Sequence, residues 1–178
     1  MKFNIGCGER NFGGDWIHID GGDYEHIDST DIFIKDYKKE SAELIYASHF
    51  IEYFDRIEVV QLLERWKEVL KPNAVLRIAV PDFEVYSRLY LEKKFPLDSF
   101  LGPLYGKMTM GDGTIYHKTI YDYYSLKKLL KNIGMRKIKK YNWEETSHSK
   151  YDDHSQAYLP HMDKNNGTLM SLNMECVK

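Results

Sequence analysis

The chain has 178 residues, 43% hydrophobic and 29% charged, with a formal net charge of −2. That length suits one domain, spanning 1–178, with a core able to fold alone, and the balanced charge argues against a polyanionic partner such as a nucleic acid. No apolar run is long enough to cross a bilayer, and two cysteines, Cys7 and Cys176, are too few for a disulfide framework or a zinc site. The first residues read as a strand, without the basic start and apolar stretch of a secretory leader. Reduced thiols in a cytoplasmic protein are the expectation. The 14 tyrosines suit half-buried packing as well as a pocket wall.

Lys2-Phe3-Asn4-Ile5 reads as a short apolar strand running into Gly6-Cys7-Gly8. Two glycines let the backbone turn tightly and approach a ligand closely. A second strand, Trp16-Ile17-His18-Ile19, ends at Asp20, and Gly21-Gly22-Asp23 makes a turn. An acid there is well placed to accept hydrogen bonds from ribose hydroxyls, the logic of an open α/β sheet that binds a nucleoside at the carboxyl ends of its strands. Asp31-Ile32-Phe33-Ile34 is a weak strand in an Asp-rich stretch, and Glu43 to His49 reads as a buried strand. Asp55 with Glu58 predicts a capping box. Val59, Leu62, Leu63, Trp66, Val69 and Leu70 follow at helical spacing, stopped by Lys71-Pro72-Asn73.

Ala74 to Val80 is a strand ending at Pro81-Asp82, and a helix from about Phe83 to Lys94 carries Tyr86, Leu89 and Tyr90 on one face. From Phe95 to Ile120 the pattern dissolves, which predicts a lid or flexible loop. Ser125 predicts the N-cap of a helix with Leu126, Leu129, Leu130 and Ile133 on one stripe and Gly134 at its end. Its lysines, Lys127, Lys128 and Lys131, form a solvated face. Arg136 to Trp143 alternates as a strand, a His/Asp-rich loop spans about 144–167, and Thr168 to Val177 closes the chain as a strand. Strands alternating with helices argue for a parallel sheet covered on both faces.

Asn4-Ile5-Gly6-Cys7-Gly8, Asp20, Ile45-Tyr46-Ala47-Ser48-His49 followed by Glu52, Leu70-Lys71-Pro72 and Val80-Pro81-Asp82 together resemble the class I S-adenosylmethionine-dependent methyltransferases. The likeness is greatest to small bacterial methyltransferase-like proteins linked to sugar or surface-polysaccharide metabolism. It covers the first half in motifs and the second half in the order of elements. The resemblance implies an α/β, Rossmann-like fold with a mostly parallel seven-stranded sheet, an antiparallel last strand and a shortened N-terminal part. It implies S-adenosylmethionine as cofactor, with Gly6, Cys7 and Gly8 beneath its methionine and ribose, Asp20 on the ribose hydroxyls, the Asp28–Asp31 region near adenine, and Ala47, Ser48 and His49 lining the pocket.

Only about a dozen residues separate Gly8 from Asp20, so no full-length first helix fits between the first two strands (~1.5 Å rise per residue). The uncovered sheet face is expected to meet either a second subunit, as a homo-oligomer, or the C-terminal loop.

A sulfonium methyl donor is already activated, so the protein must place the acceptor and, for a hydroxyl, supply a base. Three residues are candidates. Asp82 sits where a strand meets the pocket, or caps the next helix. His49 ends a strand and titrates near neutrality, or forms a pocket wall. His117 lies on the lid, facing the acceptor or the solvent. His148, Asp152, Asp153, His154 and His161 have suitable metal donors but no recognised spacing, and are expected to form a structural network or substrate contacts, with no metal. The expected partner is a small-molecule, sugar-like acceptor, with no nucleic acid and no membrane. The alternative is a non-catalytic regulatory or assembly protein that binds the cofactor. A nicotinamide protein is disfavoured, because Gly8-Glu9-Arg10-Asn11 lacks a third glycine at the required step.

Overall fold

The computed structural model describes residues 1–178. In chain order its elements are β1 (Lys2–Ile5), β2 (Trp16–Ile19), β3 (Ala42–Ser48), α1 (Glu58–Val69), β4 (Leu70–Pro81), α2 (Phe83–Leu91), α3 (Asp98–Tyr105), β5 (Met108–Met110), β6 (Gly113–Ile115), α4 (Tyr123–Asn132), β7 (Arg136–Lys140), β8 (Tyr158–Leu159), β9 (Thr168–Leu169) and β10 (Ser171–Val177). The main sheet has the order β2-β1-β3-β4-β10-β7. β1 pairs in parallel with β2 and β3, and β3 with β4, while β10 runs antiparallel to both β4 and β7.

The sheet has six strands, not the seven expected. The missing one is Asp31–Ile34, which remains a turn. Its backbone is satisfied without a neighbouring strand. The Asp31 carboxylate accepts from the amides of Phe33 and Lys35. The carbonyls of Ile32, Phe33, Ile34, Lys35 and Tyr37 accept from Trp66 and Arg65 of α1. A segment whose donors and acceptors are already met has no reason to join a ladder.

One face of the sheet is helical. Phe3, Ile5, Ile19, Ile45, Leu76, Ile78, Leu172 and Met174 pack with Val59, Leu62, Leu63, Trp66 and Val69 of α1 and with Leu126 and Leu130 of α4 in one apolar core. Each large side chain so buried contributes roughly 1.5–3 kcal/mol. The capping box before α1 forms as expected: Asp55 Oδ1 accepts from the amides of Ile57 and Glu58, and Glu58 Oε2 accepts from the Asp55 amide. α4 starts earlier than expected. Asp122 is its N-cap and Ser125 the reciprocal partner three positions on.

The opposite face carries no long helix, only the short 3-10 turn His154–Gln156. The ten residues between β1 and β2 hold only turns, and the C-terminal loop covers the face instead. Phe12 stacks between His148 (5.5 Å) and Tyr151 (4.7 Å). The Tyr46 hydroxyl donates to Asp153 Oδ2 at 2.5 Å, and Tyr151 donates to the Phe12 carbonyl at 2.7 Å. Asn173 of β10 donates to the Ser155 carbonyl. Of the two covers expected, the loop is the one present within the chain, so the sheet is helical on one side rather than on both. The 95–120 excursion is ordered as α3 and the β5–β6 hairpin. No helix is long and apolar enough to cross a membrane.

Candidate functional site

The site lies where β1, β2 and β3 end. Gly6 and Gly8 both adopt positive φ, 72° and 53°, which L side chains seldom take. The ring of Phe50 fills the space beside Gly6, only 2.3 Å from where a Cβ would stand. Asp20 ties this bend to the end of β2. Its Oδ2 accepts from the Gly8 amide at 2.9 Å and its Oδ1 from the Gly22 amide at 2.7 Å. A carboxylate offers about four acceptor positions, so each oxygen keeps one for a further donor. The segment holding Asp28 and Asp31 runs beside the same strand end, where the Ser29 carbonyl accepts from the Asp20 amide. Asp28 accepts from the His18 amide of β2, while Asp31 holds the backbone of its own loop.

Cys7 is buried, and burial followed by the Asp20 charge pushes its thiol up to about 12. It stays protonated and cannot act as a nucleophile at neutral pH. Ala47 is buried beside Ile5 in the β1–β3 register. Ser48 lines a cavity of about 20 Å³ together with Asn4, Gly6, Cys7 and His154, room for about one water. Ser48 Oγ and Asn4 Nδ2 lack partners. The tip of the lid hairpin lies over this end of the sheet, with the Met110 sulfur 2.9 Å from where a Gly21 Cβ would stand.

His49 leaves β3 at φ 50°, a conformation costly for a residue with a Cβ. Its Nε2 lies 3.1 Å from Ser171 Oγ, and its Nδ1 3.8 Å from Glu52 Oε1. His117, from the lid, places Nε2 3.8 Å from the same oxygen, with its ring edge-on to Tyr53 at 4.6 Å. Burial drives both imidazoles below their ordinary range and keeps them neutral. His117 is therefore an inward residue of the lid, not a solvent-facing one. Asp82 is 3% exposed, and its Oδ1 accepts from the Glu84 amide as the N-cap of α2. Burial raises its carboxyl. The structure thus brings His49 and His117 together and gives Asp82 a capping role.

The residue between the two histidines is Glu52, absent from the sequence-derived candidates. It is 0% exposed, neither carboxyl oxygen has a hydrogen-bond partner, and burial pushes it up to about 8. Its signal is legible in Phe50-Ile51-Glu52-Tyr53-Phe54: one acid among four apolar or aromatic neighbours cannot avoid burial when they pack. The His/Asp-rich loop divides. His148 and Asp153 belong to the polar layer against Tyr46. His154 reaches the cavity, 5.2 Å from the His49 ring.

No protein-family model and no curated protein matches the chain. Among solved structures it is similar, over 99% of its length, to a SAM-dependent methyltransferase from Archaeoglobus fulgidus, covering 85% of that chain at 15% identity and TM-score 0.59. A Thermotoga maritima protein, described as a SAM-dependent methyltransferase and possible histamine N-methyltransferase, is similar over 99% of this chain and 81% of its own, at 13% identity and TM-score 0.57. The 1,6-didemethyltoxoflavin-N1-methyltransferase of Burkholderia thailandensis, solved with S-adenosylhomocysteine bound, is similar over 99% and 70%, at 10% identity and TM-score 0.54. At such identities the likeness is one of architecture, and in architecture the chain is a Rossmann-like α/β protein with the fold of the S-adenosylmethionine-dependent methyltransferases.

Proposed function

We propose that the chain binds S-adenosylmethionine across the carboxyl ends of β1, β2 and β3 and transfers its methyl group to a small-molecule acceptor, for which the sequence resemblance suggests a sugar-like compound. The observation that carries this reading is Asp20. Its two oxygens hold the glycine bend to the end of β2 and still have acceptor capacity. Two spare acceptor positions fit the two hydroxyls of a ribose diol. Gly6, Cys7 and Gly8 would lie beneath the methionine and ribose, Asp31 with Asp28 would border the adenine, and Ala47, Ser48 and His49 would form the wall at the end of β3. The sulfonium, when bound, supplies an already activated methyl group.

The chain's own contribution is placement and exclusion of water. The cavity of about 20 Å³ beside Gly6 is far too small for a nucleoside, so binding requires the Met108–Ile115 hairpin and the Phe50 ring to move. Of the three proposed catalytic residues, His49 and His117 are neutral and so able to accept a proton, while Asp82 carries the weaker case because it already caps α2.

Calorimetric titration with S-adenosylmethionine and S-adenosylhomocysteine tests the reading. The wild type is expected to bind both, and Asp20→Ala, shown folded by circular dichroism, to bind at least about tenfold more weakly. Undiminished binding by Asp20→Ala, or no binding by the wild type, refutes it. Methyl transfer to a panel of sugars and amines then separates an enzyme from a protein that only holds the cofactor.

A further inference from the structure

Eleven buried side-chain polar atoms have no hydrogen-bond partner, and both carboxyl oxygens of Glu52 are among them. His49 Nδ1 and His117 Nε2 each stand 3.8 Å from its Oε1, beyond hydrogen-bond reach. The charge of Glu52 reaches the hydroxyls of Tyr53, Tyr86 and Tyr121 and, after burial, raises each. Folded proteins seldom leave such groups unmet, because an unpartnered buried carboxyl is among the costliest polar groups to enclose. A fully buried carboxyl with neither oxygen met marks a place whose partner comes from outside the chain.

The chemistry of that partner follows from the lining. A carboxylate with two open oxygens pairs best with a cation that carries more than one donor. A hydroxyl can meet the protonated acid by one donated and one accepted bond, but only a cation also gains from pairing with the carboxylate form. A metal ion is disfavoured, since no set of three His, Cys, Asp or Glu side chains is arranged to hold one. An ammonium group satisfies every condition.

We propose that the Glu52 carboxyl is the recognition and proton-accepting group for an amine nitrogen of the acceptor. This rests on the methyl-transfer reading above and narrows its acceptor to an amine, an amino sugar included. The bound ammonium passes one N–H proton to a carboxylate oxygen of Glu52, leaving a neutral amine with a free electron pair and a neutral carboxylic acid. An ordinary glutamate is too weak a base for an alkylammonium, which titrates near the lysine range of about 10. Burial narrows that gap, as matched proton transfer requires.

The position suits the role. Glu52 lies two residues from Phe50, whose ring sits on the Gly6 bend, and three from His49 at the end of β3. The lid closes directly over it. The Glu52 carbonyl accepts from the amides of Lys118 and Thr119, His117 donates its own amide to the Tyr105 carbonyl, and the Tyr53 hydroxyl donates to the Gly106 carbonyl. An acceptor enters when this short set of bonds opens.

The test is calorimetry on wild-type protein saturated with S-adenosylhomocysteine, using benzylamine and its uncharged counterpart benzyl alcohol, in buffers of different ionisation heat. At pH 7 benzylamine is expected to bind and to release about one proton to the buffer, because Glu52 starts protonated and its proton must leave before a cation is matched. Benzyl alcohol should release none. Glu52→Gln is expected to weaken benzylamine by about tenfold or more, abolish the proton release and leave S-adenosylhomocysteine binding unchanged. Glu52→Asp, which keeps the charge but withdraws it by one methylene, should retain proton release with weaker binding, and it serves if the Gln variant does not fold. Benzylamine binding that is equal in wild type and Glu52→Gln, or matched by benzyl alcohol, overturns the proposal. Failure of the wild type to bind S-adenosylhomocysteine overturns instead the reading on which it rests.

Discussion

Glu52 also predicts how stability depends on pH. Burial raises its carboxyl from the ordinary 4.5 to about 8, so the folded chain holds a proton that the unfolded chain releases. The stabilising share of that proton is full below pH 4.5 and is lost as pH rises towards 8. At about 1.4 kcal/mol for each pH unit spanned, the loss reaches at most about 5 kcal/mol, against a total of about 5–15 kcal/mol for a typical domain. Glu52→Gln keeps the shape and removes the titration. Urea denaturation of both proteins from pH 5 to 9 should show the variant gaining on the wild type by about 1.4 kcal/mol per pH unit through the middle of that window, then levelling. His49, His117, Tyr53, Tyr86 and Tyr121 face the same carboxyl. The two histidines are held neutral and cost stability only as pH falls below their ordinary value, and to the extent that they titrate alike in both proteins, they cancel in the difference. Parallel curves for variant and wild type would refute the reasoning.

Gly6→Ala should destabilise by about 2–4 kcal/mol, because it combines a positive φ with a Cβ driven into the Phe50 ring; thermal melts of the single variant and of Gly6→Ala/Phe50→Ala should show part of the loss recovered in the double variant. Tyr46→Phe removes the bond to Asp153 and should cost about 1–3 kcal/mol, with proteolysis falling earliest in the loop around 143–156. Asp82→Asn preserves a cap on α2 and should keep methyl transfer within about tenfold of wild type, whereas Glu52→Gln should lower it by about a hundredfold or more; a larger loss from Asp82→Asn than from Glu52→Gln would restore Asp82 as the base.

Local pattern carried the fold a long way. Gly6-Cys7-Gly8 and Asp20 made the bend and its acid visible, because a backbone conformation that favours glycine and a lone acid at a strand end leave traces in residue type. The 3.6-residue spacing from Val59 to Leu70 predicted α1, and the capping box before it formed as read. The Asp31–Ile34 segment misled because its apolar residues pack in the core while its backbone is met by Arg65 and Trp66 far along the chain. Ser125 misled by one partner: a capping box has two members, and Asp122 was the other.

The sequence by itself determined the six strands of the main sheet, helices α1, α2 and α4, the glycine bend, the acid that holds it and the absence of a first helix, since each follows from neighbours within a few residues. Only the tertiary structure decided which of two covers closes the bare face of the sheet, because Phe12 and Tyr46 meet His148, Tyr151 and Asp153 across more than a hundred residues of chain. It alone also decided that His49 and His117 converge on one carboxyl. Burial is a property of the packed whole, and the Glu52 side chain takes its chemistry from burial rather than from its residue type.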